Sequence, residues 1–478
     1  METKRFFRNL LSVVIGNGVL LISQILVGLV LPIVLSIDGF GNYRIFMLYG
    51  TYASLLHFGF VDGILVKFGG KSYSDFRKED VISLFIFFMI MEMIISIIII
   101  VISLSFFDGK YRLIFISVGI YTFFLNMVTA FQYYSQAIMK FKLVASMSSI
   151  QAILNTINIA IPSLIIFGFH WIKSLNYNTY IYMYICTYLI LLCVYVYSYF
   201  HNCSNLKISL SFNKSQIYEI FKIGFPITIA SQIGNITLNL DNQFVSLFFP
   251  TQEFAKYAFS YNLISLTIAI VLAISTVLFP YLNRESKDSL IKNYSKSMAF
   301  MLIFIYSTLY SYYPIEFIVK FILPQYIGSL SFFRILLPGV AITTSISTII
   351  FNHYKVTGDM KIYLTNGIYS LLISLVIYFL CYSIFHSSIS LAFASIVALF
   401  IWFILEDYSF RAKYNIIRYK DYFYMFFCTI TFQLSVKVMS TIVSILFYTL
   451  IYIILSYLFE KEYCILLYKK VKRIKDIE

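Results

Sequence analysis

Long apolar runs separated by short polar connectors repeat from residue 10 to residue 459. Each run is close to the roughly 20 residues that an α-helix needs to cross the hydrocarbon core of a bilayer. The pattern predicts fourteen spans: 10–35, 44–66, 81–106, 113–138, 143–169, 179–200, 223–249, 258–282, 298–322, 335–354, 362–385, 389–409, 421–437 and 438–459. The expected fold is an all-α polytopic membrane protein. The last two spans are read as a hairpin because a single broken span over 421–459 would place the basic tail outside, against the charge pattern. The basic start leads into a long apolar run with no A-x-A site, which does not read as a cleavable signal peptide.

Composition agrees with this picture. Hydrophobic residues make up 60% of the chain, charged residues 12%, and mean hydropathy is +0.84. Soluble domains carry about 25% charged residues. The net charge of +14 is spread over connectors, with no basic stripe that would suit nucleic acid. Of the 36 Lys and Arg residues, 28 fall at the N-terminus, in every second connector and in the C-terminal tail. The remaining eight are Arg44, Lys110, Arg112, Lys173, Lys256, Lys320, Arg334 and Lys437. By the positive-inside rule, both termini are expected in the cytoplasm. Heavy use of Ile, Phe, Tyr, Lys and Asn points to an AT-rich bacterial gene, hence a multi-pass protein of the bacterial plasma membrane.

Several chemistries are disfavoured. Cys186, Cys193, Cys203, Cys381, Cys428 and Cys464 lack metal-ligand or disulfide spacing, and the five histidines are dispersed. No Walker A run, H-E-x-x-H or C-x-x-C appears. The longest cytoplasmic connector is about twenty residues, too short for a nucleotide-binding domain or a soluble glycosyltransferase domain. The expectation is a transporter, not an enzyme, with no cofactor other than a coupling ion.

The chain also reads as two similar halves and an appendix. Phe40 to Tyr43 (F-G-N-Y) ends span one, and Phe254 to Tyr257 (F-A-K-Y) ends span seven, an offset of 214 that also maps Ser72 onto Ser286. The predicted division is 1–205 and 206–415, two pseudo-symmetric six-helix bundles, followed by 416–478 with spans thirteen and fourteen and the basic tail. Parallel repeats of this kind build transporters whose halves rock about a central site.

The stretches D-G-F-G-N-Y-R-I-F-M-L-Y-G and L-H-F-G-F-V-D-G-I-L-V-K-F-G-G resemble the first hairpin of polysaccharide-export flippases. In the second half, I-G-F-P-I-T-I-A-S-Q-I (223–233), L-N-L-D-N-Q-F-V (238–245), F-A-K-Y-A-F-S-Y (254–261) and V-L-F-P-Y-L-N-R (277–284) fit the same family, as do P-Q-Y-I-G-S and Y-K-V-T-G-D-M-K. The specificity lies in their order and spacing. The chain is similar to the Wzx-type branch of the multidrug/oligosaccharidyl-lipid/polysaccharide flippase superfamily. The resemblance implies transfer of undecaprenyl-diphosphate-linked oligosaccharide repeat units to the outer leaflet for capsule, O-antigen or exopolysaccharide synthesis. It also makes a polysaccharide polymerase and glycosyltransferases candidate partners, beside the membrane lipids.

Such a cargo has an apolar tail, a diphosphate and a polar sugar. Each unsatisfied polar group in hydrocarbon costs several kcal/mol, which a central polar cavity would remove. The diphosphate needs Arg or Lys at the cavity wall. Candidate substrate-binding residues are Arg44 on the outer side of span two, Asp62 and Lys67 at its inner end, and Arg284 at the end of span eight. Intramembrane ionisable groups are the candidate ion-coupling residues. Asp241, flanked by Asn235, Asn239 and Asn242, matches the family's membrane Asp, and Glu92 sits near the middle of span three. In the peptidoglycan-flippase branch a Na⁺ site joins an Asp of span seven to polar groups of spans eleven and twelve. Here that likeness selects Asn366 and Ser370 on span eleven, with Ser390 and Ser395 on span twelve. Proton exchange on Asp241 or Glu92 is equally compatible. Glu316 and Lys320 read as a local i,i+4 ion pair, and His57 and His353 as structural histidines. Two other functions remain open on the residues alone: an H⁺- or Na⁺-coupled drug or metabolite antiporter of the same superfamily, and a non-transporting scaffold of a polysaccharide assembly complex.

Overall fold

The computed structural model describes residues 2–69, 78–169, 173–200, 213–282, 287–417 and 419–475. Eighteen α-helices account for most of them. They are α1 (Glu2–Val34), α2 (Ile37–Tyr52), α3 (Phe60–Phe68), α4 (Lys78–Phe106), α5 (Gly109–Ala137), α6 (Phe141–Ser163), α7 (Tyr177–Phe200), α8 (Lys214–Phe248) and α9 (Thr251–Leu282). The remainder are α10 (Lys287–Ser307), α11 (Tyr312–Ile322), α12 (Ser329–Leu336), α13 (Gly339–Ser345), α14 (Phe351–Thr357), α15 (Met360–Phe385), α16 (Ser388–Lys413), α17 (Lys420–Val438) and α18 (Thr441–Lys475). Among the described residues the β content is a single bridge, Leu35 to Leu175. The chain is an all-helical polytopic membrane protein. Among the described residues nine helical stretches are long and apolar enough to span, and the bent α12/α13–α14 pair makes a tenth. The stretches expected as spans two, seven, eight and thirteen fold as α2–α3, α8, α9 and α17, outside those nine.

Three expected spans are broken rather than continuous. Span two divides into α2 and α3, because the backbone turns left-handed at Phe58 (φ 47) and Gly59 (φ 89). Glycine adopts this conformation without Cβ strain; Phe58 does so at a cost of about 1–3 kcal/mol. The His57 Nδ1 atom accepts the Gly59 N–H at 3.2 Å and holds the turn. Span nine tightens into a 3₁₀ turn at Thr308–Ser311 between α10 and α11. Span ten bends by 42° between α12 and α13, where Pro338 removes a backbone donor. Span twelve, by contrast, runs past its expected end at 409, so Arg411 lies within α16.

The helices fall into two units: Met1–Asn239 with Pro250–Ala255, and Leu240–Phe249 with Lys256–Glu478. In hydrocarbon there is little hydrophobic drive between helices, so association rests on close packing and interhelical hydrogen bonds. The first unit shows both. Ser23 of α1 bonds the Ala152 carbonyl (2.9 Å) and Thr156 (3.0 Å) of α6, and Gly16 sits so close to α6 that a Cβ there would lie 2.8 Å from the Ala145 oxygen. Phe85 stacks on Phe131 at 4.4 Å, joining α4 to α5. Residues Pro250–Ala255, which begin the second F-x-x-Y turn, belong to this unit with the first turn. Gln252 donates to Asp38 at 2.8 Å, and a Cβ on Gly41 would be 3.3 Å from that of Ala255. Both pairs are separated by the same 214 residues that relate the turns in sequence. Ser72 and Ser286, the other pair at this offset, lie outside the described residues, as does the proposed 205/206 boundary.

In the second unit α17 and α18 are bound to the rest by tyrosine hydroxyls. Tyr306 donates to the Met425 carbonyl (3.0 Å) and lies 2.9 Å from Thr429. Tyr310 reaches Thr449 (2.8 Å), Tyr313 reaches Ser444 (2.8 Å), and Tyr448 and Tyr452 donate back to the carbonyls of Tyr306 (2.9 Å) and Ile303 (2.6 Å). Each such bond within a membrane contributes about 0.6 kcal/mol, so the set adds a few kcal/mol.

Candidate functional site

Asp241 lies on the last turns of α8 and is 1% exposed. The chain reverses at Phe249 and Pro250, whose carbonyl accepts the N–H groups of Glu253 and Phe254 at 3.0 Å and starts α9. The reversal sets Asp241, nine residues before Pro250, against Tyr257 and Tyr261, seven and eleven residues after it. Those tyrosines are four apart and share one face of α9. Tyr257 Oη donates to Asp241 Oδ2 at 2.7 Å, and Tyr261 Oη donates to the same oxygen. Asp241 Oδ1 accepts the Asn242 backbone N–H at 2.6 Å. Ser395 of α16 stands beside Asp241, Tyr261 and Tyr378. A carboxylate accepts only, and hydrogen bonds to an ionised acceptor are roughly twice as strong as neutral ones. The hydroxyl shell therefore suits a charge or an exchangeable proton at a position cut off from solvent.

Of the two α15 residues expected beside this acid, Asn366 has other partners. Asn366 donates to Glu406 Oε2 and to the Leu405 carbonyl, both at 3.3 Å. Ser370 is buried, and its hydroxyl has no hydrogen-bond partner among the described residues. Ser390 caps its own helix, donating to the Ser387 carbonyl at 2.6 Å. Span twelve thus supplies Ser395, while α9 supplies Tyr257 and Tyr261. The legible signal is local: Y-A-F-S-Y places two hydroxyls at helical spacing, one slightly nearer the turn than Asp241 and one slightly farther from it.

Glu92 of α4 is fully buried in the first unit. Its Oε2 accepts Asn126 Nδ2 of α5 at 2.9 Å, and that amide also reaches the Ala53 carbonyl at 3.1 Å, beside the break in span two. Asp62 and Lys67 are on α3. Thr228 of α8 donates to Asp62. Lys67 Nζ pairs with Glu219 Oε2 at 2.6 Å and approaches the Gln216 carbonyl at 3.5 Å. The lysine expected to meet a diphosphate therefore already has an acidic partner. Arg44 is half-buried on α2 beside Tyr43. Arg284 lies outside the described residues. Glu316 and Lys320 form the expected local pair at 2.8 Å. His353 contacts the Ile349 carbonyl at 2.7 Å and packs edge-on against Tyr294.

One charged cluster was not anticipated. Arg411 donates from Nε to Asp407 Oδ2 and from Nη2 to Asp421 Oδ2, both at 2.5 Å, and from Nη1 to Ser295 at 3.2 Å. Tyr294 and Tyr422 each donate to Asp407 at 2.6 Å. The three ionic side chains are at most 2% exposed. They tie α10, α16 and α17 together. The i,i+4 spacing of Asp407 and Arg411 was visible in the sequence; the burial was not.

Comparison with known proteins gives fold relatives only. No family model matches the chain, and no curated protein matches it. Among solved structures, the lipid II flippase MurJ in an inward closed conformation superposes with a TM-score of 0.68 at 13% identity, over 95% of this chain and 99% of that one. A Vibrio cholerae MATE transporter mutant gives 0.56 at 12% identity, over 88% and 98%. An inward-facing multidrug resistance MATE transporter of the MOP superfamily gives 0.50 at 12%, over 85% and 96%. Across nearly its whole length the chain has the fold shared by the MurJ flippase and the MATE transporters of the MOP superfamily.

Proposed function

We propose that this protein is a flippase that carries an undecaprenyl-diphosphate-linked oligosaccharide from the cytoplasmic to the outer leaflet of a bacterial plasma membrane, crossing it fourteen times with both termini in the cytoplasm. The observation that carries this reading is the end-to-end likeness in fold to a lipid II flippase, covering 95% and 99% of the two chains. The ordered polysaccharide-flippase motifs of the sequence support it independently. Lys67 is the described basic residue at the inner end of span two that an entering diphosphate would meet, and Asp241 with its hydroxyl shell is the site at which H⁺ or Na⁺ would couple an ion gradient to movement. The MATE likeness favours a second reading, a cation-coupled antiporter for small molecules.

In the producing cell, deletion of the gene is expected to leave the lipid-linked repeat unit accumulated at the inner leaflet, with polymer export restored by the wild-type chain. Normal export in the deletion strain, with loss only of resistance to small cations, would support the antiporter instead.

A further inference from the structure

The inner end of α3 and residues 214–239 of α8, all within the first unit, make a contact of an unusual kind. The helices run antiparallel and touch backbone to backbone. A Cβ on Gly224 would lie 1.8 Å from the Gly59 oxygen and 2.5 Å from the Gly63 nitrogen. A Cβ on Gly63 would be 2.1 Å from the Ile220 oxygen. Contacts this close admit only glycine, so the two helices meet backbone to backbone, with the Ile220 side chain against Gly63 and Phe221 against Phe60 beside them. Polar links flank the glycines on both sides. Gln232 donates to Ser54 at 2.8 Å, Thr228 donates to Asp62, and Lys67 pairs with Glu219.

The last link differs from the rest in exposure. The Glu219 side chain is 58% exposed and that of Lys67 15%. Exposed ion pairs contribute little and are screened, so this link is easily exchanged, unlike the buried Arg411 cluster. An anion reaching the pair attracts the ammonium and repels the carboxylate at once. A diphosphate offers several acceptors and more charge than Glu219.

We propose that this contact is a latch released by the anionic head group of the lipid: the head group takes Lys67 from Glu219, and the close glycine contact between α3 and α8 then opens. The proposal rests on the reading of the cargo as a diphosphate lipid. It makes Lys67 a sensor of cargo, and Glu219 the internal competitor that keeps the latch shut without it.

The test is disulfide formation in Asp62→Cys/Thr228→Cys protein in liposomes, with Lys67 and Glu219 intact and single-Cys variants as controls. The pair is expected to cross-link readily without lipid cargo. Undecaprenyl diphosphate should slow the reaction by about fivefold, the range that a partly exposed ion pair supports, and undecaprenol should not. With Lys67→Gln added, the diphosphate lipid should lose its effect. Gly224→Ala should slow cross-linking with no lipid present; if that variant does not fold, Glu219→Gln serves the same purpose. A rate indifferent to the diphosphate lipid, equally slowed by undecaprenol, or still slowed by the diphosphate lipid in Lys67→Gln overturns the latch. Equal slowing by phosphatidic acid keeps the latch and overturns the diphosphate lipid as its specific key.

Discussion

Asp241→Ala is expected to abolish transport while the protein remains in the membrane. The substitution removes an acceptor shared by Tyr257 and Tyr261 and leaves both hydroxyls facing the space it vacated. Each unmatched group costs about 1–3 kcal/mol, which lowers stability without removing the helices that carry it. The loss of transport has a separate cause, which Asp241→Asn isolates. The amide keeps the size of the side chain, and the tyrosine hydroxyls can turn to accept from it, but it takes up neither a proton nor a cation. If Asp241 couples an ion to movement, Asp241→Asn should lose about 5–150-fold in rate, the span of a coupling free energy of about 1–3 kcal/mol. Tyr261→Phe keeps the carboxylate and deletes one donor, so its loss should be well below that of Asp241→Asn. Export by Asp241→Asn close to the wild-type rate, at equal protein level, would reduce Asp241 to a helix-to-helix tie.

Arg411→Met is expected to be the most damaging single change to stability. It leaves Asp407 and Asp421 buried with no cation between them. Breaking a buried pair by removing one partner costs about 3–5 kcal/mol, against about 0.6 kcal/mol for a typical tyrosine bond elsewhere in the same unit. At about 2–4 °C per kcal/mol the unfolding midpoint in detergent should fall by roughly 6–20 °C. Replacing the whole cluster, as Asp407→Asn/Arg411→Met/Asp421→Asn, should recover most of that loss, because a neutral interior of similar volume carries no desolvation debt. An unchanged midpoint in Arg411→Met would mean that the cluster does not hold α17 to α10 and α16.

These two sites show what kind of information a linear chain carries. Asp241 stands out because a charge in an apolar run has few explanations. Its tyrosines do not, because Tyr257 and Tyr261 look like the other tyrosines of the chain until the turn at Pro250 is folded. Arg411 reads as a connector residue because E-D-Y-S-F-R-A-K is polar; its burial depends on Tyr294, 117 residues earlier, and on Asp421, on the next helix. Spans one, three to six, nine, eleven, twelve and fourteen were legible from hydropathy, which is a local property. The break at Phe58 and Gly59 was not, because a single glycine in an apolar run does not announce a left-handed turn. Lys67 lies in the last turn of α3, and its partner Glu219 lies 152 residues away. The likeness of the two F-x-x-Y turns was legible in the sequence; the hydrogen bond between Asp38 and Gln252, 214 residues apart, was not.

The most direct measurement is transfer of a fluorescent undecaprenyl-diphosphate-linked oligosaccharide between leaflets of liposomes that contain only this protein and an imposed H⁺ or Na⁺ gradient. The predicted result is net transfer well above protein-free liposomes, dependent on one of the two gradients, and reduced about 5–150-fold in Asp241→Asn. Transfer no faster than in protein-free liposomes under either gradient, in a preparation that exchanges small organic cations, would contradict the flippase and establish the antiporter in its place.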